Sequence, residues 1–373
     1  MIWIVDKQKC CGCSACQMVC PRQCIKMESD VEGFLYPCVN VEACVDCSLC
    51  ERVCPELNKD CNKVVLKVYA AVNPDEEVLL KSSSGGMFSL LSERIILQGG
   101  IVFGACFDGD FSVSHDYTDT IEGLATFRGS KYLQSNIKYS FLKAKQFLED
   151  GRKVLFTGTP CQIAGLKRYL RKDYENLITV DFVCHGVPSP AVWKKYLEHI
   201  SRPVKVNFRD KRNGWKKYGV AIVSTDGSEE LTCFHENRYM RMFLSDMILR
   251  PSCYACPSKG GMSMSDITLG DFWGIEKINP EIDDDKGLSL VLVNTKKGEA
   301  LISDCGALMF EQDYSDAVKH NPAIEKSVRQ PVYRNLFMRT CEEKGFDKAY
   351  AAVNDKTLIA KVKRRLWLYF QTK

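Results

Sequence analysis

The sequence predicts an α/β fold, α+β overall, in which a small cysteine-rich domain precedes a larger domain of sheet and helices with a β-rich insertion. Three observations carry that reading. Eight cysteines before residue 55 stand in two runs of identical spacing. From Val68 onward, short apolar strands alternate with helical stretches. Between 204 and 235 the pattern turns β-rich. The chain has 373 residues, 45% hydrophobic and 26% charged, which is ample for a buried core. At about 150 residues per domain, roughly two or three domains are expected; the boundaries read from the pattern are 1–62, 63–345 and 346–373. The 51 basic and 47 acidic residues leave a net charge of +4, too balanced for a dedicated nucleic-acid binder. Nothing approaches about 18 consecutive apolar residues, so no membrane-spanning helix is expected. The opening MIWIVDK meets charge and cysteine too early for a secretory signal, so a cytoplasmic location is expected. In that setting the 20 cysteines read as metal ligands rather than disulfides.

The first element is the cysteine segment. Cys10, Cys13, Cys16 and Cys20 follow C-x2-C-x2-C-x3-C with Pro21 next, and Cys44, Cys47, Cys50 and Cys54 repeat the spacing with Pro55 next. A pair of zinc sites is the alternative reading, although zinc usually draws on separated CxxC pairs. Gly12, Ser14, Ala15 and Ser48 are small, which lets backbone N–H groups approach the sulfurs. Cys11 and Cys24 fall outside the spacing and read as small buried hydrophobes. Over about residues 1 to 60 this pattern resembles the bacterial two-cluster ferredoxin. The resemblance implies two [4Fe-4S] clusters, with the fourth cysteine of each run reaching across to the other cluster. Cys10, Cys13, Cys16 and Cys54 would then hold one, and Cys44, Cys47, Cys50 and Cys20 the other.

Residues 55–66 are polar and proline-led, and read as a linker. A strand follows at 68–72. Next comes a helix at 86–98, with Phe88, Leu91, Ile95 and Leu97 on one face and Gly99-Gly100 ending it. Then come a strand at 100–105, a helix at 135–149, a strand at 153–157, a helix at 161–171 and a strand at 177–183. Such alternation predicts a sheet with helices on its faces. Within 204–235, Asp226-Gly227 marks a hairpin turn. Strands at 266–273 and 288–294 follow, with a helix after Lys297-Gly298. The tail is helical in period and basic.

Four loops in the larger domain carry glycine or cysteine at strand or helix ends, where α/β sheets gather ligands. They are Lys81–Gly86, Gly129–Ser135, Thr157–Gln162 and Cys184–Pro190. The first opens a helix, and its N–H groups and hydroxyls suit a phosphate, although Ser/Gly before a helix is also an ordinary cap. With Cys253-x2-Cys256, residues 266–274 (DITLGDFWG) and Asn294-Thr295, these loops resemble the coenzyme F420 hydrogenase/dehydrogenase beta subunit family. That family also includes 7-hydroxymethyl chlorophyll a reductase. The resemblance runs from about residue 65 to 340 and implies a flavin-binding domain with FAD.

By position it places Ser83, Ser84, Gly85 and Gly86 near the FAD pyrophosphate. Lys131, Gln134, Ser135, Thr157, Gly158 and Thr159 fall around the ribityl chain and ring. Lys131 is read as a positive charge beside the flavin; the alternative is a solvated surface lysine. Cys161, Cys184, Cys253 and Cys256 all lie in these motifs and read as a third [4Fe-4S] site; the alternative is buried structural cysteine for Cys161 and Cys184 plus a surface CxxC that takes zinc. Cys38, Cys61, Cys106, Cys233, Cys305 and Cys341 have no partner at metal spacing and read as packing. His185 is a candidate catalytic proton donor, or a structural histidine. The basic, aromatic stretch 208–215 is either a surface for an anionic substrate or a solvated hairpin.

The implied function is an iron–sulfur flavoprotein oxidoreductase, in which single electrons from clusters become a hydride exchanged between FAD and an organic substrate. The alternative is an electron-transfer subunit that serves a separate enzyme. A redox partner protein such as a ferredoxin or reductase is expected, together with a small-molecule substrate and no nucleic acid. The basic C-terminal residues Lys361, Lys363, Arg364 and Arg365, with Trp367, Leu368 and Phe370, suit either contact with an anionic membrane surface or docking on the protein body.

Overall fold

The computed structural model describes residues 1–59, 65–200 and 202–355, together with 357, 362, 364 and 367. Its strands in chain order are β1 (Ile25–Ser29), β2 (Leu35–Val39), β3 (Lys67–Val72), β4 (Ile101–Phe107), β5 (Val113–Thr118), β6 (Val154–Thr157) and β7 (Leu177–Phe182). They continue as β8 (Pro203–Asp210), β9 (Gly219–Ser224), β10 (Glu229–Cys233), β11 (Ile267–Asp271), β12 (Ser289–Val293) and β13 (Leu308–Glu311). Eight of them form one mixed sheet in the order β13-β3-β12-β11-β7-β6-β4-β5. At its centre β4, β6, β7 and β11 run parallel. On the flanks β12, β3 and β13 at one side and β5 at the other pair antiparallel with their neighbours.

The central strands are apolar along their whole length because both faces are covered. Every residue of β12 is buried, as are the first five of β7. Helix Met87–Leu97 covers one face through Met87, Leu91 and Ile95, which recur at four-residue steps. Leu97 departs from the expected face and is 80% exposed, since two residues turn a helix by roughly 200°. Helix Ser140–Glu149 starts later than the periodicity suggests. The backbone of Asn136 is taken by Val113 and His115 beside β5, which holds residues 135–139 out of the helix.

The β-rich insertion is a separate antiparallel sheet, β10-β9-β8. Its turn lies at Asp226-Gly227, where Gly227 takes φ +81°, a region open to glycine at no steric cost. Val220 and Ile222 of β9 enter a core with Trp193, Tyr196, Tyr239 and Phe243. Phe346 and Ala349 of helix Phe346–Asn354 join the same core. Cys61 and most of the basic C-terminal stretch, including Lys361, Lys363, Arg365, Leu368 and Phe370, lie outside the described residues. Among the described residues no helix is long and apolar enough to cross a membrane.

The N-terminal segment is a β1–β2 hairpin with two short helices, Ala15–Val19 and Leu49–Arg52. It packs on helix Pro160–Leu170 so closely that a Cβ at Gly165 would lie 2.8 Å from the Cys13 Cβ. Arg334 clamps it from the other side, its two terminal nitrogens 3.0 and 2.5 Å from the Glu32 carboxylate oxygens.

Candidate functional site

The two cysteine runs fold alike. Ser14 and Ser48 occupy matching places and both take left-handed backbone, φ +63° and +57°, just before a short helix. That conformation costs a non-glycine residue roughly 1–2 kcal/mol, and it curls the loop so that amides face its own sulfurs. Gly12 N–H donates to Cys10, Ala15 N–H to Cys13 and Gln17 N–H to Cys16.

One cavity is lined by Cys10, Cys13, Cys16 and Cys54, and a second by Cys20, Cys44, Cys47 and Cys50. Each therefore takes three cysteines from one run and the last from the other. Cys11 and Glu56 also line the first, and Cys24 the second. All four thiols of the first cavity are buried, whereas Cys47 is exposed and Cys20 and Cys44 half-buried. Burial pushes Cys10, Cys16 and Cys54 up, so thiolates there need a cation beside them. Cys20 goes the other way. Burial alone would raise it, but the amides of Cys24, Arg22 and Gln23 and the Cys24 thiol bring it down. Among the described residues no group of three or more His, Cys, Asp and Glu is arranged to hold a metal ion as it stands.

The structure also brings Cys161, Cys184, Cys253 and Cys256 together. Cys161 opens helix Pro160–Leu170 behind a Thr159/Gln162 capping box. Cys184 follows β7, and the CxxC pair lies in and just after the turn Pro251–Ala255. Burial and then the neighbouring Cys161 thiol push Cys256 up to about 11. Burial also pushes Cys253 to about 12, with Cys256 and Cys161 adding to it. The Val187 N–H lies 3.4 Å from the Cys253 sulfur, and the Lys259 ammonium bonds the Cys184 carbonyl. Cys11 is buried as expected, and its thiol is pushed up, with the neighbouring Cys13 thiol the largest influence. Cys38 is exposed, and Cys233 lies 2.9 Å from His235 Nδ1. These two do not behave as buried packing; Cys341 does.

The remaining loops meet at the C-terminal ends of the parallel strands. Ser83 Oγ accepts from Ser130 N and Oγ at 2.7 and 2.9 Å, joining the first loop to the second. Ser84 Oγ donates to the Leu288 carbonyl, and Gly85 N–H to Ser289 Oγ. Gly85 is wedged on the sheet, where a Cβ would meet the Ala71 carbonyl at 2.3 Å. Gly86 begins the helix at φ +78°. Thr157 Oγ1 donates to the Phe103 carbonyl, and Gly158 N–H to the Val180 carbonyl. Gln134 turns toward the N-terminal segment, its amide nitrogen 3.0 Å from the Cys11 carbonyl.

Lys131 is not a solvated lysine. Its ammonium bonds the carbonyls of Phe127, Arg128 and Gly129 at 3.1–3.2 Å, and burial lowers it to about 8. Lys211 is held the same way by the carbonyls of Leu79, Ser84 and Lys286, and burial lowers it to about 8 as well. His185 Nε2 stands 2.6 Å from Asp246 Oδ1, with its ring edge-on to Phe243.

Within 208–215 the expected solvated hairpin is only half right. Arg212 is exposed and pairs with Glu229, but Arg209, Lys211 and Trp215 are buried. Arg209 forks onto the Asp271 carboxylate with two 2.9 Å bonds and also reaches Tyr132 OH and the Ser83 carbonyl. Trp215 Nε1 donates to Asp271 and stacks on Trp273 at 4.6 Å. Arg209 Nε is buried without a hydrogen-bond partner among the described residues. The sequence marked the stretches 208–215 and 266–274 that hold Arg209 and Asp271, but not their pairing, because the two lie 62 residues apart.

His115 was also missed. Its Nδ1 is 2.5 Å from Ser135 Oγ and its Nε2 2.9 Å from the Thr157 carbonyl, tying the second loop to the third. Burial lowers its pKa from 6.5 to about 4. Between those values the unfolded chain binds a proton that the folded chain refuses. Stability should therefore fall as pH drops through that window, by about 1.4 kcal/mol per pH unit from this group. Urea midpoints across pH 4–7 for the natural chain and His115→Gln check it: the variant should show the shallower slope.

Taken together, the fold is a mixed-sheet α/β domain with three groups of convergent cysteines and a set of polar loops at the ends of its parallel strands. Residues 151–312 match the family described as the C terminus of the coenzyme F420 hydrogenase/dehydrogenase beta subunit. A chain of the F420-reducing [NiFe] hydrogenase complex from Methanosarcina barkeri is similar at a TM-score of 0.48 and 18% identity, over 81% of this chain and 96% of that one. A comparison with curated proteins finds no match.

Proposed function

We propose that the chain is an iron–sulfur flavoprotein oxidoreductase that passes electrons between ferredoxin-type [4Fe-4S] clusters and FAD, and through FAD exchanges a hydride with an organic substrate. The observation that supports it most is the line of sulfur through the molecule. Cys11 and Cys13 line the first cavity, and Cys161 of the third group packs against the core cluster that holds them both. On this reading Cys10, Cys13, Cys16 and Cys54 hold one cluster, and Cys20, Cys44, Cys47 and Cys50 another. Cys161, Cys184, Cys253 and Cys256 hold a third.

The loops suit FAD on chemical grounds. Lys131 and Lys211 are cations withdrawn from water that, among the described residues, hydrogen-bond carbonyls and no carboxylate, which favours an anion such as a pyrophosphate between the loops they brace. The unpartnered Arg209 Nε, beside Ser83, adds a buried donor at the same place. Bound FAD supplies two-electron hydride exchange, and each cluster one electron at a time. The chain's own residues set the stage. Ser83 and Ser130 keep two loops in register, and His115 locks Ser135 to Thr157. Asp246 fixes the ring of His185, the proposed proton donor.

Iron, sulfide and flavin counted per chain on anaerobically purified protein test the reading. About twelve irons and about one FAD are expected. About eight irons with FAD would remove the third cluster and return its four cysteines to packing. No flavin, even after adding FAD, would sink the enzyme reading.

A further inference from the structure

Arg250 has none of its surface exposed. It precedes the turn that carries Cys253, and its side chain enters the N-terminal segment. Nε donates to the Cys10 carbonyl at 2.7 Å, Nη2 to the Leu35 carbonyl at 2.9 Å, and Nη1 to Gln134 Oε1 at 2.8 Å. Nη2 also lies 3.6 Å from the Cys10 sulfur, and the guanidinium covers the Tyr36 ring at 4.3 Å. None of these partners is a carboxylate. Burial works against the charge; the groups that sustain it are Cys10, Tyr36, Cys11 and Cys253 in that order. Glu56, which lines the same cavity, feels Arg250 less than it feels Lys9 and Lys59. A guanidinium taken out of water without a counter-charge is costly, so its place beside Cys10 points to an anion there. Four thiolates around an oxidised [4Fe-4S] centre amount to about −2.

We propose that Arg250 raises the reduction potential of the centre held by Cys10, Cys13, Cys16 and Cys54, drawing electrons inward from the outer centre. This rests on the cluster reading above. Reduction adds one electron, from an external donor protein, and moves no proton, so the centre becomes more negative by one charge. A buried cation stabilises that product over the oxidised form, and low local polarity makes the effect large. Among the described residues the outer cavity has no buried equivalent: Arg22, which lines it, and Arg52, which reaches the Cys47 carbonyl, are both exposed, and the Met1 ammonium there is paired with Asp46 and Glu51.

The test is a potentiometric titration followed by electron paramagnetic resonance on the anaerobic full-length chain, with dithionite as reductant and iron counted in each sample. Arg250→Met should move one ferredoxin-type signal to a more negative potential and leave the other in place. Arg250→Lys, which loses the same forked bonds but keeps the charge, should move it less. Gln134→Glu covers the case in which Arg250→Met does not fold. It sets a carboxylate against Nη1, and the same signal should move the same way. Equal shifts in the Met and Lys variants overturn the proposal. So does an unmoved signal in Arg250→Met or, where that chain does not fold, in Gln134→Glu. A natural chain with its irons but no shift in the variants fails Arg250 alone. A natural chain without them fails the cluster reading and this proposal with it.

Discussion

A Cys54→Ser chain should lose about four irons, and they should be those held with Cys10, Cys13 and Cys16, although Cys54 closes the other run. Proximity in sequence would assign Cys54 to Cys44, Cys47 and Cys50. The fold does not: Cys54 lines the cavity of the first run, and Cys20 that of the second. The cause is local. Helix Leu49–Arg52 is a single turn, and it carries Cys50 to one cavity and releases Cys54 toward the other. Serine is a poor ligand for iron, so a lone replacement should empty its whole site under aerobic handling. Electron paramagnetic resonance of the residual signal decides the matter. Cys54→Ser should match Cys16→Ser and differ from Cys47→Ser. A residual signal that matches Cys47→Ser would show that each run keeps its own iron.

Arg209→Met should destabilise the larger domain by about 3–5 kcal/mol, the range for breaking a buried ion pair from one side. Arg209 is 3% exposed and Asp271 18%, so water cannot replace the lost partner fully. Asp271 would keep a single bond from Trp215 Nε1 at 3.0 Å. The Ser83 carbonyl would lose its donor as well. Urea midpoints followed by tryptophan emission read the effect, since Trp215 and Trp273 stack beside the pair. The double change Arg209→Met with Asp271→Leu should recover part of the loss, because it removes the stranded charge too. A single variant within about 1 kcal/mol of the natural chain would mean the pair is screened after all.

How much of this was legible beforehand follows from the range of each interaction. The cysteine runs are local patterns, and the ferredoxin resemblance they carry groups the eight cysteines as they line the two cavities. The apolar strands of the sheet centre read clearly, as did the Asp226-Gly227 turn, because periodicity and turn chemistry are properties of a few consecutive residues. Edge elements did not. β13 is a four-residue strand with no buried residue, and nothing in its composition separates it from loop. The residues that brace the site were the least visible. Arg250 meets Cys10 across 240 positions, and Arg334 meets Glu32 across 302. Neither belongs to a motif, and only the fold buries each beside its partners. Lys131 shows the converse. Its loop was recognised, but only the three carbonyls around its ammonium show that it is buried.

The unequal exposure of the two N-terminal cavities gives the molecule a front and a back. Cys47 faces water, while Cys13 rests against helix Pro160–Leu170 with no solvent between. On the proposed reading, a protein that trades electrons with the N-terminal pair of centres reaches the outer one first, so its traffic in both directions shares one gate. Two partners could then not exchange electrons with the chain at once; they would take turns, and whichever binds the Cys47 side longer would set the pace for the other.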